Sequence, residues 1–575
     1  MTYIKAMYTK HIKSNRLYFA SKLLLTLFFS ITIVLDRKLV FNGDIFSKVT
    51  ESYFVKFKLQ DILFFFLIWI IAFVITTIIE KCIDRLENTI YTKKQGNQER
   101  KSIKPFFGIF TILILFWLPY ILSYFPGGLY VDTLNSVWQF LGFSPYQNHH
   151  PLLYTIMLRF CFKITMEVQS AMEIFTVLQV IMMALIISGF IYWLYRKNIR
   201  FVYIALATLF FGAFNLIPLY VVSIWKDLPF CLALLLFTLL IAETVYQKGK
   251  ILENKKIILI YAMFLFLINF LRNNGIYITF VFTLVIFLAY RKSVKIKWLM
   301  VVSIVTIAIS VFTLGFVFEQ LNLNVEGTKT YSVPLQQVGY VIATEGKLTD
   351  EQINFFNEIC PIEIMKEYYR PMIVDTLKSP PEFDDILLEE KQTEFLKIWF
   401  EMFLQNPGPY VEAYLFNTLG FWDVNKSHMT AYINPEQWVL PPGLEDLIEQ
   451  TDYIEKLTNI SIRDVITPTE AISSAIFMFI LLFSMIMTIY KKRYKNLLIY
   501  IPALLTWATI MIATPLAFSL RYVYILVLMV PFSFLIPFLK TKEEEKLYMI
   551  GESTQNSQTG HMKRLKLQRV SDIFI

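Results

Sequence analysis

The chain has 575 residues, of which 56% are hydrophobic and 17% are charged, and its mean hydropathy is +0.52. About a quarter of the residues in soluble domains are charged, so this composition excludes an ordinary soluble protein. The net charge of +9 does not indicate a nucleic-acid partner, because the basic residues fall in short loops between apolar runs rather than in one patch on a folded domain.

Apolar runs of about 20 residues recur along the chain, and each can cross a hydrocarbon core of about 30 Å. We count about 12 of them and predict an all-α polytopic membrane protein. The predicted spans are residues 17–35, 61–79, 105–122, 171–195, 201–219, 228–246, 257–271, 276–290, 298–318, 471–490, 497–516 and 522–539. The first is expected to be an uncleaved span rather than a signal peptide, and residues 151–166 are expected to form a short interfacial helix.

The basic residues predict the orientation of these spans. They precede the first span and follow alternate later spans. This distribution places both chain termini on the cytoplasmic side of a bacterial cell membrane. The first outer loop is an exception, since five basic residues lie between positions 37 and 58. A composition poor in Gly and rich in Lys, Ile and Phe is typical of an AT-rich bacterium.

The topology divides the chain into five regions. They are a two-span N-terminal addition with its cytoplasmic loop (1–104), a transmembrane catalytic core (105–318), an acidic extracytoplasmic domain (319–470), C-terminal transmembrane helices (471–539) and a cytoplasmic tail (540–575). Residues 319–470 contain 10 Lys and Arg against 26 Asp and Glu, a net charge of −16. Their periodicity, for instance over residues 384–405, predicts a mostly helical domain.

The loop at residues 124–154 contains the first candidate site residues. Asp132 is its only acidic residue, and Gln139, His149 and His150 follow it. A carboxylate beside two imidazoles at the bilayer edge is costly unless it has a function, so Asp132 is predicted to be a general base. His149 and His150 are predicted to be catalytic residues beside it. Alternatively, Asp132 caps a short helix, and the two histidines are structural residues whose hydrogen bonds are satisfied within the loop.

A metal or cofactor is not expected. The pair His149 and His150 can supply ligands to a divalent cation together with Asp132 or Asp227, but two adjacent histidines without a defined third ligand are a weak signal. The four cysteines, Cys82, Cys161, Cys231 and Cys360, show no metal-type spacing, and only Cys360 lies in the acidic domain. A disulfide within that domain is therefore excluded.

Three later turns, predicted to lie on the same outer side, contain cations. They hold Lys226 and Asp227 in SIWKDLPF, Arg272, Asn273 and Asn274 in LRNNGIY, and Arg521 and Tyr522 in SLRYVY. Arg binds phosphate oxygens in pairs and Lys binds them as a point charge, so these turns predict a phosphate site. Alternatively, Arg272 and Arg521 anchor the interface by snorkelling, and Lys226 and Asp227 form a local pair or cap.

These residues also resemble a known family. A span followed by an outer loop of the form PG(x)4D, then QxxG and HP, is similar to the GT-C superfamily of membrane glycosyltransferases, which includes protein O-mannosyltransferases and lipid A aminoarabinose transferases. The wider set WKD, RNNG, PLQQVGY, GFWDV and RYVY is similar to that of a bacterial branch of multi-span proteins. The resemblance covers residues 105–539.

The resemblance implies a sugar donor linked to polyprenyl phosphate and inversion at the anomeric carbon. It places Asp132 in the catalytic-base position, and Lys226, Arg272 and Arg521, with Tyr522, at the lipid phosphate. Many superfamily members have a second acid directly after the first, whereas Thr133 stands here. Asp227 or an acid of the outer domain would have to replace it.

The expected function is therefore transfer of a sugar from a polyprenyl-phosphate donor to a cell-envelope acceptor on the outer face of the membrane. The candidate substrate contacts are Gln139, Asn273, Asn274, Gln336, Gln337 and Trp422. A transporter or flippase of a lipid-linked precursor is the first alternative, although such proteins place charges near the bilayer midplane. A non-catalytic scaffold for envelope assembly is the second.

Overall fold

A computed structural model describes most of the chain. The described residues are 2–91, 102–147, 151–291, 296–321, 323, 331–428, 447–467 and 471–544. His149 and His150 therefore lie outside the described residues, and so does the predicted tail beyond residue 544.

The described residues are mainly helical. The first half of the chain contains α1 (Thr2–Asp36), α2 (Leu59–Ile90), α3 (Lys104–Ser123), α4 (Val131–Leu141), α5 (Leu152–Thr165), α6 (Val168–Arg196), α7 (Phe201–Ala213), α8 (Leu216–Val222), α9 (Asp227–Tyr246), α10 (Lys255–Leu271) and α11 (Gly275–Tyr290). Strands β1 (Gly128–Leu129) and β2 (Ser223–Ile224) form a two-stranded parallel sheet.

Helices continue through the acidic segment to the last described residues. They are α12 (Ile296–Phe312), α13 (Phe318–Gln320), α14 (Ser332–Ala343), α15 (Asp350–Ile359), α16 (Ile362–Tyr368), α17 (Asp385–Glu390), α18 (Gln392–Gln405), α19 (Pro407–Asn417), α20 (Tyr453–Thr458), α21 (Arg463–Ile466), α22 (Ser474–Tyr490), α23 (Ile501–Ala513), α24 (Ile525–Leu528) and α25 (Val530–Ser533). A π-helical turn at Thr313–Val317 joins α12 to α13.

Six helical stretches of the described chain are long and apolar enough to cross a membrane. They are Arg16–Asp36, Leu59–Glu87, Lys104–Ser123, Val168–Arg196, Asp227–Tyr246 and Ile296–Gln320. Helices α7 and α8, bent by 54° at their junction, make a seventh if they form one broken span, and α11, α22 and α23 are shorter apolar helices. These helices identify a membrane protein, while the count of about 12 spans remains a prediction.

The predicted last span, residues 522–539, is not one continuous helix. It consists of the 3-10 turn Leu520–Val523, α24, α25 and the 3-10 turn Ile536–Phe538. Pro531 and Pro537 lack the amide donors that a continuous helix needs. Every residue from 523 to 529 is buried, so this segment fills the interior of the helix bundle instead of facing lipid.

The helices have one basic end and one end with mixed charge. At the basic end, α6 finishes at Arg196, and Lys248, Arg291 and Lys491 follow the last turns of α9, α11 and α22. The opposite ends of α9 and α10 carry Asp227 and Arg272. We call this opposite end of the bundle the site end.

The acidic segment builds a second hydrophobic core. Its buried residues come from α14 to α19 and pack with Leu39 and Ile45 from the α1–α2 loop and with Phe518 from the loop after α23. The helix predicted over residues 384–405 is confirmed as α17 and α18, with a break at Lys391. The segment is therefore mostly helical, as predicted, and it shares its core with two distant parts of the chain.

Candidate functional site

The short parallel sheet brings two distant loops together. Asp132 follows β1 by three residues and Lys226 follows β2 by two. Because the strands run in the same direction, the residues after each strand emerge side by side. The rings of Tyr130 and Trp225, one residue beyond the sheet, stack with their centroids 3.9 Å apart.

Gly127 allows the two loops to approach this closely. Its φ is +121°, and a Cβ atom there would lie 2.6 Å from the Val222 carbonyl oxygen and 3.0 Å from Thr176 Oγ1. The buried hydroxyl of Thr133 donates to the Ile224 carbonyl at 2.5 Å. Thr133 therefore ties the start of α4 to β2, and the position after Asp132 has a structural role.

The carboxylate of Asp132 has three donors on one oxygen. Arg521 Nη1 lies 2.8 Å, Trp225 Nε1 3.1 Å and Lys226 Nζ 3.2 Å from Asp132 Oδ2. The Arg521 guanidinium also lies over the Trp225 ring, 4.0 Å from its centroid. Tyr130 is the N-cap residue of α4, and Asp132 makes these long-range contacts from the first turn. The alternative of a simple helix cap is wrong.

Asp227 lies behind these groups. Its side chain is 3% exposed. Its Oδ1 forms an ion pair with Arg272 Nη1 at 2.6 Å, and its Oδ2 lies 3.9 Å from Arg521 Nη1. The carboxylate thus sits between two arginines and does not line the neighbouring cavity. Asp227 was predicted to be catalytic, but its position makes it a residue that orients Arg272 and Arg521.

The RNNG turn between α10 and α11 positions Arg272. A Cβ atom at Gly275 would lie 2.1 Å from the Ile268 carbonyl oxygen, so only glycine permits this turn. Asn274 Nδ2 donates to Thr509 Oγ1 at 2.8 Å and thereby joins the turn to α23. The Arg272 guanidinium packs over the Tyr522 ring, 4.9 Å from its centroid.

The acidic segment reaches the site through backbone contacts. The amide of Val374 donates to the Pro515 carbonyl at 3.0 Å, and the amide of Ala517 donates to the Met372 carbonyl at 3.0 Å. This pairing lies just before the 3-10 turn that holds Arg521. Within that 3-10 turn, Arg521 Nη2 donates a hydrogen bond to the Tyr522 hydroxyl at 3.0 Å.

A cavity of about 630 Å³ opens between the helix ends and the acidic segment. Its volume falls within the usual range of about 300–1,000 Å³ for small-molecule sites. The charged residues of its lining are Asp132, Lys226, Arg272, Asp375, Lys378, Asp385 and Arg521. Asn273, Asn274 and Tyr522 also line it, so the structure brings together one predicted carboxylate, all three predicted cations and three predicted polar neighbours.

Four predicted substrate contacts do not line this cavity. Gln139 is buried and accepts from the Gln147 amide at 3.4 Å. Gln336 Nε2 donates to the Arg370 carbonyl at 3.0 Å, Gln337 Oε1 accepts from Trp399 Nε1 at 2.9 Å, and Trp422 Nε1 donates to Thr418 Oγ1 at 3.1 Å. Gln139, Gln336 and Trp422 are buried and Gln337 is half-buried, and all four side chains bond to other groups of the protein away from the cavity.

Sequence reasoning missed several residues of the site. Trp225 stands directly before Lys226 in WKD, and an indole donor at this position was a readable signal. Asp375 directly follows the residues of the long-range backbone pairing, and Lys378 and Asp385 lie further along the same segment. The 26 acids in residues 319–470 give no reason to select Asp375 and Asp385.

The charged side chains of the site determine which chemistry it can perform. Burial lowers the pKa of the Lys226 ammonium below its ordinary value, and the carboxylates of Asp132 and Asp227 counteract that effect. Within the described ranges there is no group of three His, Cys, Asp or Glu side chains suited to a metal ion, and the predicted histidine pair lies outside those ranges. The arrangement can bind an anion through Lys226, Arg272 and Arg521 and offers Asp132 beside it.

Comparison with known proteins identifies the family. A family model matches residues 144–549, which is more than half of the chain. The chain belongs to DUF6020, a family of unknown function. No curated protein and no solved structure matches the chain. The matched region includes Lys226, Asp227, Arg272 and Arg521, whereas Asp132 precedes it.

Proposed function

We propose that this DUF6020 protein is an inverting glycosyltransferase of the GT-C type. It moves a sugar from a polyprenyl-phosphate donor to a cell-envelope acceptor on the outer face of a bacterial cell membrane. The observation that carries the proposal is the convergence of Asp132, Lys226, Arg272 and Arg521 on one cavity at the site end. The basic opposite end supports an orientation in which the site end faces outward.

Three cations on one wall suit a phosphate group. Lys226, Arg272 and Arg521 have side chains that are 17%, 16% and 15% exposed, so they are largely shielded from water yet reach the cavity. Charge-assisted hydrogen bonds to phosphate are stronger in such surroundings. A donor that is part lipid also explains a phosphate site at the ends of membrane helices.

The proposed reaction is a single displacement. The oxygen of an acceptor hydroxyl forms a bond to the anomeric carbon as the bond from that carbon to the phosphate oxygen breaks. The hydroxyl proton passes to Asp132, and the negative charge leaves on the polyprenyl phosphate. Lys226, Arg272 and Arg521 stabilise this leaving group.

Asp132 and the donor phosphate would compete for the same cations. Cations near a carboxylate favour its charged form and reduce its affinity for a proton, and Lys226 and Arg521 both contact Asp132 Oδ2. A donor phosphate competes for the same two cations. Donor binding would therefore release Asp132 and make it a better base when the acceptor arrives.

The acidic segment supplies the opposite wall, where the acceptor would bind. Asp375, Lys378, Asp385 and Ser332 line this side of the cavity and offer both donors and acceptors to a hydroxyl-rich molecule. The position of the charges favours an enzyme over a flippase. Asp227 and Arg272 stand at the ends of α9 and α10, whereas a transporter places such charges in broken helices near the bilayer midplane.

The test compares strains that express the wild-type chain or Asp132→Asn. We expect Asp132→Asn to abolish the transfer, so that a lipid-linked sugar accumulates in lipid extracts and one cell-envelope glycan loses that sugar, both measured by mass spectrometry. Glu390→Gln is the matched control, because Glu390 is an exposed acid of the acidic segment outside the cavity. Identical glycans and lipid extracts in the Asp132→Asn and wild-type strains would contradict the proposal and favour a scaffold.

A further inference from the structure

A second large cavity lies at the basic end of the bundle. We call it the basic cavity; its volume is about 1060 Å³, and it opens between the ends of α9, α11 and α22 and the residues that follow α25. The cations of its lining are Lys248, Arg291, Lys491, Lys492, Arg493 and Lys495. Among the described lining residues, Glu544 is the only acid. The site described above lies at the opposite ends of the same helices.

Carboxylates neutralise only part of this charge. Glu544 pairs with Arg493, and Lys491 Nζ pairs with Asp84 at 2.5 Å and with Glu87 at 2.7 Å. Lys248 pairs with Glu543 at 2.5 Å.

The other side of the basic cavity retains positive charge. Among the described residues, no carboxylate pairs with Arg291 or Lys495; the Lys495 amine donates to the Ala289 carbonyl instead. Lys495 Nζ also lies 4.2 Å from the centroid of the Tyr290 ring, whose hydroxyl is buried without a hydrogen-bond partner in the described chain. The basic cavity therefore has both uncompensated cations and an unused hydroxyl group.

An apolar groove adjoins the basic cavity. Its volume is about 330 Å³, and it runs between α2, α7, α22 and α25. Leu86, Leu206 and Phe534 form its exposed rim. Phe538 lines the groove, and Lys491 of the basic cavity holds its Nζ 5.6 Å from the centroid of that ring. A polar and an apolar compartment thus meet at Lys491 and Phe538.

We infer that the basic cavity and the apolar groove together bind one anionic phospholipid. The phosphate of the lipid lies in the basic cavity near Arg291 and Lys495, and an acyl chain lies in the apolar groove. Basic pockets between membrane helices on the cytoplasmic side suit anionic headgroups, and each Lys or Arg near the surface contributes about 1 kcal/mol to such binding. The inference is independent of the proposed transferase activity, because it concerns the other end of the bundle.

Lipid retention by the full-length, detergent-solubilised protein tests this site. Native mass spectrometry would measure binding of phosphatidylglycerol, of phosphatidylcholine as the zwitterionic lipid with zero net charge, and of glycerol 3-phosphate as the soluble phosphate. We expect the wild-type chain to bind phosphatidylglycerol in preference to both other probes. The double variant Arg291→Gln, Lys495→Gln should lower that affinity about thirtyfold.

The matched control removes basic residues at the same end but outside the basic cavity. Lys255→Gln with Lys256→Gln does this at the exposed start of α10 and should leave the affinity unchanged. If the double variant does not fold, Lys495→Gln alone should lower the affinity about fivefold.

Four results would overturn the inference. The first is equal affinity in the wild-type chain and the charge variants, and the second is an equal loss in the control. The third is glycerol 3-phosphate binding as tightly as the lipid. A full-length chain that retains no phosphatidylglycerol would also overturn it and would leave the basic cavity to the chain's own residues beyond Glu544.

Discussion

Asp132 and Arg521 are separated by 389 residues of chain, and yet Arg521 Nη1 lies 2.8 Å from Asp132 Oδ2. Lys226 and Trp225 contact the same oxygen. The carboxylate thus occupies the cations that an incoming phosphate would need. Asp132 is thus an internal competitor of the proposed donor phosphate for these cations.

This competition predicts an unusual effect of Asp132→Asn on binding. The variant should bind a polyprenyl phosphate about tenfold more tightly than the wild-type chain, because a neutral amide no longer holds Lys226 and Arg521. Titration of the detergent-solubilised chain with polyprenyl phosphate, followed by intrinsic fluorescence, would measure the affinity. Arg521→Gln should weaken it, and Lys163→Gln, at an exposed position of α5, should leave it unchanged. Weaker binding by Asp132→Asn would show that the carboxylate does not compete with phosphate.

Asp227 should affect stability more than any residue of the cavity lining. Its side chain is 3% exposed and pairs with Arg272 at 2.6 Å, and removal of one member of a buried ion pair costs about 3–5 kcal/mol. Asp227→Asn should therefore lower the free energy of unfolding by about 3 kcal/mol, measured by chemical denaturation in detergent.

A double-mutant cycle separates this ion pair from other effects of the substitution. Asp227→Asn combined with Arg272→Gln should cost less than the sum of the two single changes, because the double variant leaves neither charge buried without its partner. Additive losses of unfolding free energy would mean that the contact between Asp227 and Arg272 contributes little to stability.

Topology made part of the site predictable from the sequence. Lys226 and Arg272 stand at span ends that an alternating count of spans assigns to the same side of the membrane. Counting apolar runs was therefore sufficient to place them at one end of the bundle. Arg521 was placed there by the same count, although the span predicted after it is a buried series of short turns broken at Pro531 and Pro537.

Contacts between distant segments could not be predicted in this way. Asp375 reaches the cavity through backbone pairing of residues 372–374 with residues 515–517. Such hydrogen bonds join backbone atoms rather than side chains, so the sequence contains no pattern that predicts them. Gln336 and Trp422 were selected because polar and aromatic residues bind sugars. The same properties also let them bond inside a protein core, and the structure places them there.

Gly127→Ala should displace Asp132 without touching any charge. The added methyl group would lie 2.6 Å from the Val222 carbonyl oxygen, and φ is +121°, so β1 must move away from β2. We expect loss of the proposed transfer and a lower thermal unfolding midpoint. Gly108→Ala is the matched control, since nothing lies within 4 Å of a Cβ atom in α3 at that position, and alanine there should be neutral or slightly stabilising. Equal unfolding midpoints for the two variants would contradict this steric role.

Asp423 should make stability depend on pH. Burial, together with the negative charge of Asp36, raises the pKa of Asp423 from 3.8 to about 7. The folded protein therefore keeps on Asp423 a proton that the unfolded chain releases between about pH 4 and pH 7, so the contribution of Asp423 to stability falls as pH rises through this window. Asp423→Asn cannot titrate and keeps the shape of the neutral acid. Relative to the wild-type chain, it should gain up to about 4 kcal/mol as pH rises from 4 to 8, measured by unfolding at several pH values. Asp464→Asn, at an exposed position, is the control and should show no such trend. Parallel pH profiles of unfolding free energy for Asp423→Asn and the wild-type chain would mean that Asp423 is already charged in the folded state.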